Sequence, residues 1–396
     1  MEREPKYLQT KVCIVGAGPA GATTSLYLSR FGIPHLVVDR AEFPRDKVCG
    51  ESFDGRVYRI LRDLSPEFLS RLHRDQLLLE TWNYRFWSDQ IDLSVAYPKS
   101  NLPRLSANRA ELDAFLFRQV QDATSARVIT PAKIEDIHKK DGGWRLTAKD
   151  LIIDADLVVM AAGAQPTPTE NPHLFVFSRQ YYEGIAPAGE KGLEVYYFEQ
   201  PVRGCLFMCP LSGGRYNVEV GVQQSRYRSA PFNMPALLTA YLGSVPGLKG
   251  RFADARVLGK SRGTTMELAT RVRWSDSNLI YVGAGAFCVN PITGMGVGNA
   301  MSMGKLAAEL IRDAYEEEDF SQRVTKKYRR AARRKYRNVL LMNRAVNLIQ
   351  RHFRFVEPIL SLLLNTALVK RLLLRNDLLR GFTPRRLYRK LINEKS

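Results

Sequence analysis

The chain has 396 residues, 45% hydrophobic and 25% charged, with five cysteines and a formal net charge of +19. That length exceeds one ordinary domain and supplies ample core, and the composition excludes fibrous, disulfide-stapled and wholly disordered classes. The charge is concentrated: residues 323–396 hold 21 Lys and Arg against three acids, so +18 of the +19 lies in that tail, a balance that concerns anionic partners rather than the fold.

The polar N-terminus, MEREPKYLQTK, runs straight into the first strand, and no apolar run reaches the ~20 residues that span a bilayer. The expectation is a protein made and kept in the cytoplasm. Cys13, Cys49, Cys205, Cys209 and Cys288 have no CxxC spacing and read as free thiols, and no metal site is expected.

Residues 11–39 read as strand, turn, helix and second strand. Val12, Ile14 and Val15 give the first strand, and Gly16, Gly18 and Gly21 fall in the GxGxxG spacing around Pro19 and Ala20. Residues 22–31 have helical periodicity, and His35 to Val38 form the second strand. In that context the glycines predict a tight turn that brings a pyrophosphate to a helix N-terminus. Asp39, at the end of the second strand, is placed to bind the ribose hydroxyls. FAD and NAD are not separated by this stretch alone.

Residues 54–79 are helical and amphipathic, with Val57, Ile60, Leu61, Leu64 and Phe68 on one face. Residues 81–97 alternate aromatic and polar side chains and predict strands of a second sheet. The run from Leu105 to Asp113 opens a helix through Val120. An Arg at a helix start, here Arg109, is electrostatically odd and points to an anionic partner. Residues 127–160 return to strands with a hairpin at Asp141-Gly142-Gly143, and residues 165–222 hold further strands, including LEVYYFE and RYNVEVGV. Cys205 and Cys209, spaced CxxxC with no other ligand type nearby, read as incidental thiols.

Several segments together resemble the geranylgeranyl reductase branch of FAD-dependent oxidoreductases, which shares the fold of p-hydroxybenzoate hydroxylase. Pro44, Lys47, Cys49 and Gly50 match its PxxKxCGG segment, with Glu51 at the second glycine. Arg109 and Asp113 match its RxxxD segment. Residues 278–300, NLIYVGAGAFCVNPITGMGVGNA, match its LLVGDAAGFVNPxTGEGI segment position for position. Gly204 to Pro210 loosely resembles its YxWxFP substrate motif, keeping Phe207 and Pro210. Two acids of the family are absent: Ala162-Gly163 stands for an Asp-Gly dipeptide, and Gly283-Ala284 for the Gly-Asp whose carboxylate bonds the ribityl chain.

The resemblance implies an α/β fold: a Rossmann-like FAD-binding domain of the glutathione reductase type, an interleaved mixed β-sheet substrate domain and a C-terminal helical tail. The expected segments are 8–80, 105–165 and 273–322 for FAD, 81–104 and 166–272 for substrate, and 323–396 for the basic helical region. It implies FAD held by Gly16, Gly18, Pro19, Ala20, Gly21, Asp39, Arg40, Lys47, Arg109, Gly163, Gly283, Ala284 and Pro291. Gly294, Met295, Gly296 and Val297 turn backbone N–H groups to the flavin carbonyl O2 and N1.

Cys49 and Glu51 are the candidate catalytic groups, Phe207 and Pro210 the candidate substrate contacts, and NAD(P)H a candidate electron donor. The implied reaction is reduction of carbon–carbon double bonds in a hydrophobic isoprenoid or polyene substrate. A flavin monooxygenase on the same frame is the alternative, and a non-catalytic scaffold that lost FAD with the two acids is another. A halogenase is disfavoured by the lack of a WxWxIP segment.

Residues 347–396 alternate basic clusters with short apolar runs. Such helices lie in an anionic membrane interface, each basic residue contributing about 1 kcal/mol. The expectation is peripheral docking on the inner membrane face, with capping of the substrate domain as the blander reading. Nucleic acid is disfavoured, because no nucleic-acid module accompanies the charge.

Overall fold

A computed structural model describes residues 5–89, 91–96, 101–163, 174–229, 232–267, 272–286, 289 and 294–351. In chain order, β1 (Lys6–Val15), α1 (Pro19–Arg30) and β2 (His35–Val38) form the opening unit, followed by β3 (Ser52–Phe53), α2 (Gly55–Leu64) and α3 (Pro66–Arg74). Next come β4 (Leu79–Thr81), β5 (Asn83–Ser88), β6 (Ile91–Ala96), β7 (Arg104–Ser106) and α4 (Arg109–Gln121). β8 (Ala126–Ile129), β9 (Asp136–Lys140), β10 (Gly143–Ala148) and β11 (Leu151–Met160) complete the first half. The second half holds β12 (Leu174–Glu183), β13 (Gly192–Phe198), β14 (Gly204–Pro210), β15 (Arg215–Gln223), α5 (Gln224–Arg228), α6 (Met234–Ser244) and β16 (Arg256–Glu267). It closes with β17 (Ser275–Asp276), β18 (Leu279–Tyr281), α7 (Val297–Glu316) and α8 (Gln322–Arg351).

Three sheets result. The first has the order β17-β18-β11-β1-β2-β8, with β10 and β9 continuing from β11. Its centre is parallel, and β11 pairs along its length with β1 while β10 and β18 take successive parts of its other edge. The near-continuous Val, Ile and Leu of these strands are buried on both faces, as a parallel sheet requires. The second sheet, β16-β12-β15-β14-β13-β5-β6, is antiparallel except where β13 runs parallel to β5. A small third sheet, β3-β7-β4, lies between them in sequence. The two large sheets thus alternate along the chain, as the α/β class with an interleaved mixed sheet requires.

Two local expectations change. The helical run over 54–79 divides at Ser65, whose extended backbone and Oγ cap the next helix by accepting from Glu67 N at 3.3 Å. Pro66 then sits at the first helical turn, which suits a start and forbids a continuation. The helix expected from Leu105 begins at Arg109. Leu105 and Ser106 belong to β7, and the Asn108 Oδ1 caps α4 by accepting from Ala110 N at 2.9 Å.

Helix α8 lays Val324, Tyr328, Ala332 and Tyr336 on the core at i+4 spacing. Tyr328 Oη donates to Tyr281 O and Tyr336 Oη to Asn299 O, so it docks on β18 and α7, on the first sheet's side rather than the second's. Its exposed face carries Arg323, Lys326, Arg329, Arg330, Arg333 and Arg334. Among the described residues no helix is long and apolar enough to cross a membrane. The tail beyond Arg351 lies outside the described residues, as do Pro291 and Cys288.

Candidate functional site: a dinucleotide cradle under an aromatic sheet

The β1–α1 turn is held by two glycines. Gly16 has φ +103°, and a Cβ on Gly21 would lie 1.8 Å from Gly16 O, so helix and turn touch backbone to backbone. Gly18 is the N-cap of α1, with no side-chain cap and no acid in the first turn. Pro19 and Ala20 begin the helix, and Pro19 offers no N–H that would need a partner. The helix start is therefore open to an anion. Asp39 is buried, its Oδ2 accepting from Ala17 N at 2.7 Å and its Oδ1 from Ala41 N at 2.9 Å. Each oxygen keeps a lone pair for a ribose hydroxyl.

Cations gather beside this turn. Arg45 Nη2 is the nearest atom to the Gly18 Cα face, 3.2 Å from where a Cβ would sit. Burial, then the charges of Arg109, Arg45 and Arg40, pull the Lys47 ammonium below its ordinary value. Arg109 is buried and its guanidinium is bidentate to Asp113, both bonds 2.8 Å, while Arg45 reaches the same carboxylate at 3.6 Å. The oddity of an Arg at the start of α4 thus has an internal answer at i+4, and a second in the Glu51 carboxylate, which accepts from Arg109 N at 2.9 Å. Arg40, Arg45 and Lys47 remain in excess over Asp113. A cationic rim around an open helix N-terminus fits a pyrophosphate.

The next side of the cradle, against the β1–α1 turn, is set by parallel strands. β11 and β18 run side by side, so Ala162-Gly163 and Gly283-Ala284 leave the sheet together, and a Cβ on Gly285 would come within 3.3 Å of Gly163 O. Ala162 and Ala284 are both exposed there. Gly163 and Gly283 have φ +86° and +69°. The glycine-rich turn then leads through Gly294, Met295 and the N-cap Gly296 into α7 at Val297, again with no acid in the first turn and no side-chain cap. Two helix N-termini, those of α1 and α7, therefore frame one cradle, as a dinucleotide with an anionic centre and an electron-accepting ring needs.

Above it lies one face of the second sheet. β15 alternates: Tyr216, Val218, Val220 and Val222 pack toward α6, leaving Asn217, Glu219 and Gly221 on the other face. That other face carries Tyr84, Phe177, Leu193, Val195, Cys205, Phe207 and Cys209, and Met295, just before α7, packs into the same cluster. Gly221 is required here, since a Cβ would meet the Phe177 ring at 2.2 Å. Arg104 from β7 is buried, lies over the Tyr84 ring and donates to Met295 Sδ at 3.0 Å. Phe207 therefore stands next to Met295 at the start of α7, and Pro210 is buried at the end of the same strand.

The segment Cys49–Gly50–Glu51 is clamped between sheet and helix. Asn217 Nδ2 donates to Cys49 O at 2.6 Å, and Ala107 N donates to Glu51 O at 3.2 Å. Glu51 has φ +57°, the left-handed region that a glycine occupies freely. Its Oε1 accepts from Tyr181 Oη at 2.6 Å and from Arg109 N, while its buried Oε2 has no hydrogen-bond partner. Burial pushes the Glu51 carboxyl up to about 7. Burial also raises the Cys49 thiol, outweighing the Arg109 charge, which favours the protonated thiol. Cys205 and Cys209 are buried thiols bonded to Gly221 O and Ser106 Oγ, and no metal cluster occurs among the described residues.

Glu219, Asn217, Arg179, Tyr181, Arg104 and Asp113 belong to this site and were not among the sequence candidates. The one sequence signal was the polar residue between valines in RYNVEVGV, which marks a second buried face on that strand.

The family described as FAD binding domain matches residues 9–100. A menaquinone reductase of Mycobacterium tuberculosis is 27% identical over 329 residues, 76% of each chain. A digeranylgeranylglycerophospholipid reductase of Methanococcus vannielii is 24% identical, covering 83% of this chain and 84% of that one. Among solved structures, a geranylgeranyl bacteriochlorophyll reductase-like protein of Thermoplasma acidophilum superposes with a TM-score of 0.72 at 19% identity, over 86% of this chain and 87% of that one. A flavin-dependent brominase superposes with a TM-score of 0.76 at 18% identity, over 98% of this chain and 99% of that one.

Proposed function

We infer that this chain, an FAD-dependent oxidoreductase of the geranylgeranyl reductase-like family, saturates carbon–carbon double bonds in the isoprenoid chain of a hydrophobic substrate. The observation that carries the reading is the apolar aromatic face of Tyr84, Phe177 and Phe207, into which the flavin-side residue Met295 packs. An isoprenoid chain is bound by such a wall through area alone, with no hydrogen bonds to satisfy. The names of the relatives, reductases of menaquinone and of a digeranylgeranyl lipid, favour the same class.

When bound, FAD supplies the electron pair as a hydride. The chain's own part is to bind, orient and exclude water. The α1 N-terminus with Arg40, Arg45 and Lys47 neutralises the pyrophosphate. The α7 N-terminus stabilises negative charge on the ring. Phe207, Phe177 and Met295 keep water from the reacting face, and Arg104 holds Met295 in place. A nicotinamide dinucleotide is the proposed donor of electrons.

The test is the visible spectrum and the product mass. The expected result is a bound oxidised flavin released at about one per chain, and, with reduced protein and a menaquinone bearing an unsaturated prenyl chain, a product two mass units heavier, without oxygen uptake. A product sixteen units heavier with oxygen consumption would make it a monooxygenase. A protein that neither carries nor takes up FAD would be a scaffold.

We further propose that residues 347–396, whose sequence alternates basic clusters with short apolar runs, hold the protein peripherally on the cytoplasmic face of an anionic membrane. Deleting them should lower sedimentation with anionic phosphatidylglycerol vesicles and leave neutral vesicles unchanged. Equal binding by both proteins would refute the anchoring role.

A further inference from the structure

One buried acid of the site has been given no role above. Glu219 sits at the centre of the sheet face, in register with Phe207 on β14 and with Arg179 on β12. Its Oε2 lies 3.2 Å from where a Cβ on Gly50 would stand, so the carboxyl points across from the sheet onto the Cys49–Gly50–Glu51 segment. Among the described residues its carboxyl makes no hydrogen bond. We propose, resting on the reductase reading above, that Glu219 is the acid that protonates the substrate carbon, and that the neighbouring Glu51 carboxylate, held ionised by its own hydrogen bonds, keeps that proton on Glu219.

The geometry assigns the two roles. Glu51 is 1% exposed and its Oε1 accepts two hydrogen bonds, one from Tyr181 and one from the first N–H of α4, both of which favour the carboxylate. Glu219 has no donor and keeps 7% of its surface, on the face shared with Phe207, where a substrate chain would lie. Two carboxyls in one buried site cannot both ionise cheaply. The one whose oxygens accept no hydrogen bond keeps the proton.

The groups around the pair agree with this division. Arg179 faces both carboxyls, yet its Nη2 is already engaged by Asp46 at 2.7 Å to both oxygens. Arg109 is neutralised by Asp113. Cys49, Cys205 and Cys209 face the pair as neutral thiols, each raised by burial. Lys47 lies beside Cys49. Burial, and then the charge of Glu51, push Glu219 up to about 7, so a proton is held near neutral pH and can still be given up.

The step balances. One alkene carbon takes the hydride that reduced FAD supplies, and its neighbour takes the Glu219 proton as the O–H bond breaks and a C–H bond forms. The alkene is reduced by two electrons, FAD is oxidised by two, and water returns the proton to Glu219. A nicotinamide dinucleotide, or dithionite in the test, restores the reduced flavin.

The experiment compares wild type, E219Q and E51Q. In apo protein carrying carboxyl-labelled glutamate, the carbon-13 resonance that disappears in E219Q should titrate near pH 7, and in E51Q that midpoint should fall, because the like charge is gone. A midpoint below 5 for the Glu219 resonance overturns the proposal. In single turnover of the dithionite-reduced holoprotein with a menaquinone bearing an unsaturated prenyl chain, E219Q should lower the rate of the +2 product by at least ~100-fold, the range for a lost general acid. FAD affinity and the rate of flavin reduction should stay at wild-type values, which separates a lost proton from a lost fold. E219Q within threefold of an active wild type refutes the proton-donor role. A wild type that gives no +2 product refutes the reductase reading and the proton-donor role with it, whatever the titration shows.

Discussion

Gly21→Ala should abolish FAD binding. The new Cβ would lie 1.8 Å from Gly16 O, 2.9 Å from Gly16 C and 3.1 Å from Ala161 Cβ, and the first two are backbone atoms that have no rotamer to escape into. The helix must lift from the turn, and the phosphate seat opens with it. An affinity loss above ~100-fold, about 2.7 kcal/mol, is expected in a fluorescence titration of apo protein with FAD. Gly32→Ala is the control: Gly32 has φ +69° with nothing within 4 Å of a Cβ. It should cost about 1–2 kcal/mol of stability through the backbone alone and leave the FAD affinity unchanged. Wild-type affinity in Gly21→Ala would refute the turn as the pyrophosphate seat.

Ala284→Asp should tighten FAD. Ala284 is exposed at the cradle's edge, where the resembled family carries the carboxylate that bonds the ribityl chain. A charge-assisted hydrogen bond contributes about 1.5–3 kcal/mol, which is about ten- to a hundredfold in Kd. Ala162→Asp should act in the same direction. The two strand ends adjoin, so the double variant should gain less than the sum, since two new carboxylates repel. Ala286→Asp is the contrast, because Ala286 is fully buried and an acid there can only destabilise. Unchanged affinity in Ala284→Asp would mean that the ribityl chain passes elsewhere.

Legibility followed the range of the interaction. The turn at Gly16–Gly21 and the strand ending at Asp39 are local, set by residues within one βαβ unit, and the sequence spacing carried them fully. The break at Ser65-Pro66 was also local. The helical reading missed it because Val57, Leu61 and Phe68 keep one apolar face across the break. Arg109 shows a different limit: the i+4 acid Asp113 was in view, yet the ion pair between them was not read from that spacing. Glu219 was not legible at all. Which face of β15 meets the loop depends on its register with β12 and β14, fixed by strands more than thirty residues apart on one side and by a hairpin on the other. The packing of Met295 among Phe207, Phe177 and Tyr84 is likewise long-range, and no spacing in the sequence announces it.

The left-handed backbone at Glu51 has a consequence for how such a protein diversifies. A side chain there costs about 1–2 kcal/mol over glycine. Tyr181 and the first N–H of α4 offset that cost by bonding its carboxylate. Two of the four glycine codons lie one base from a glutamate codon. A loop already shaped for glycine can therefore acquire or discard an acid at the reacting face in a single mutational step, while the glycines that seat the cofactor remain untouched. Chemistry and cofactor retention are then inherited separately, and a lineage can sample new reactions on an unchanged frame.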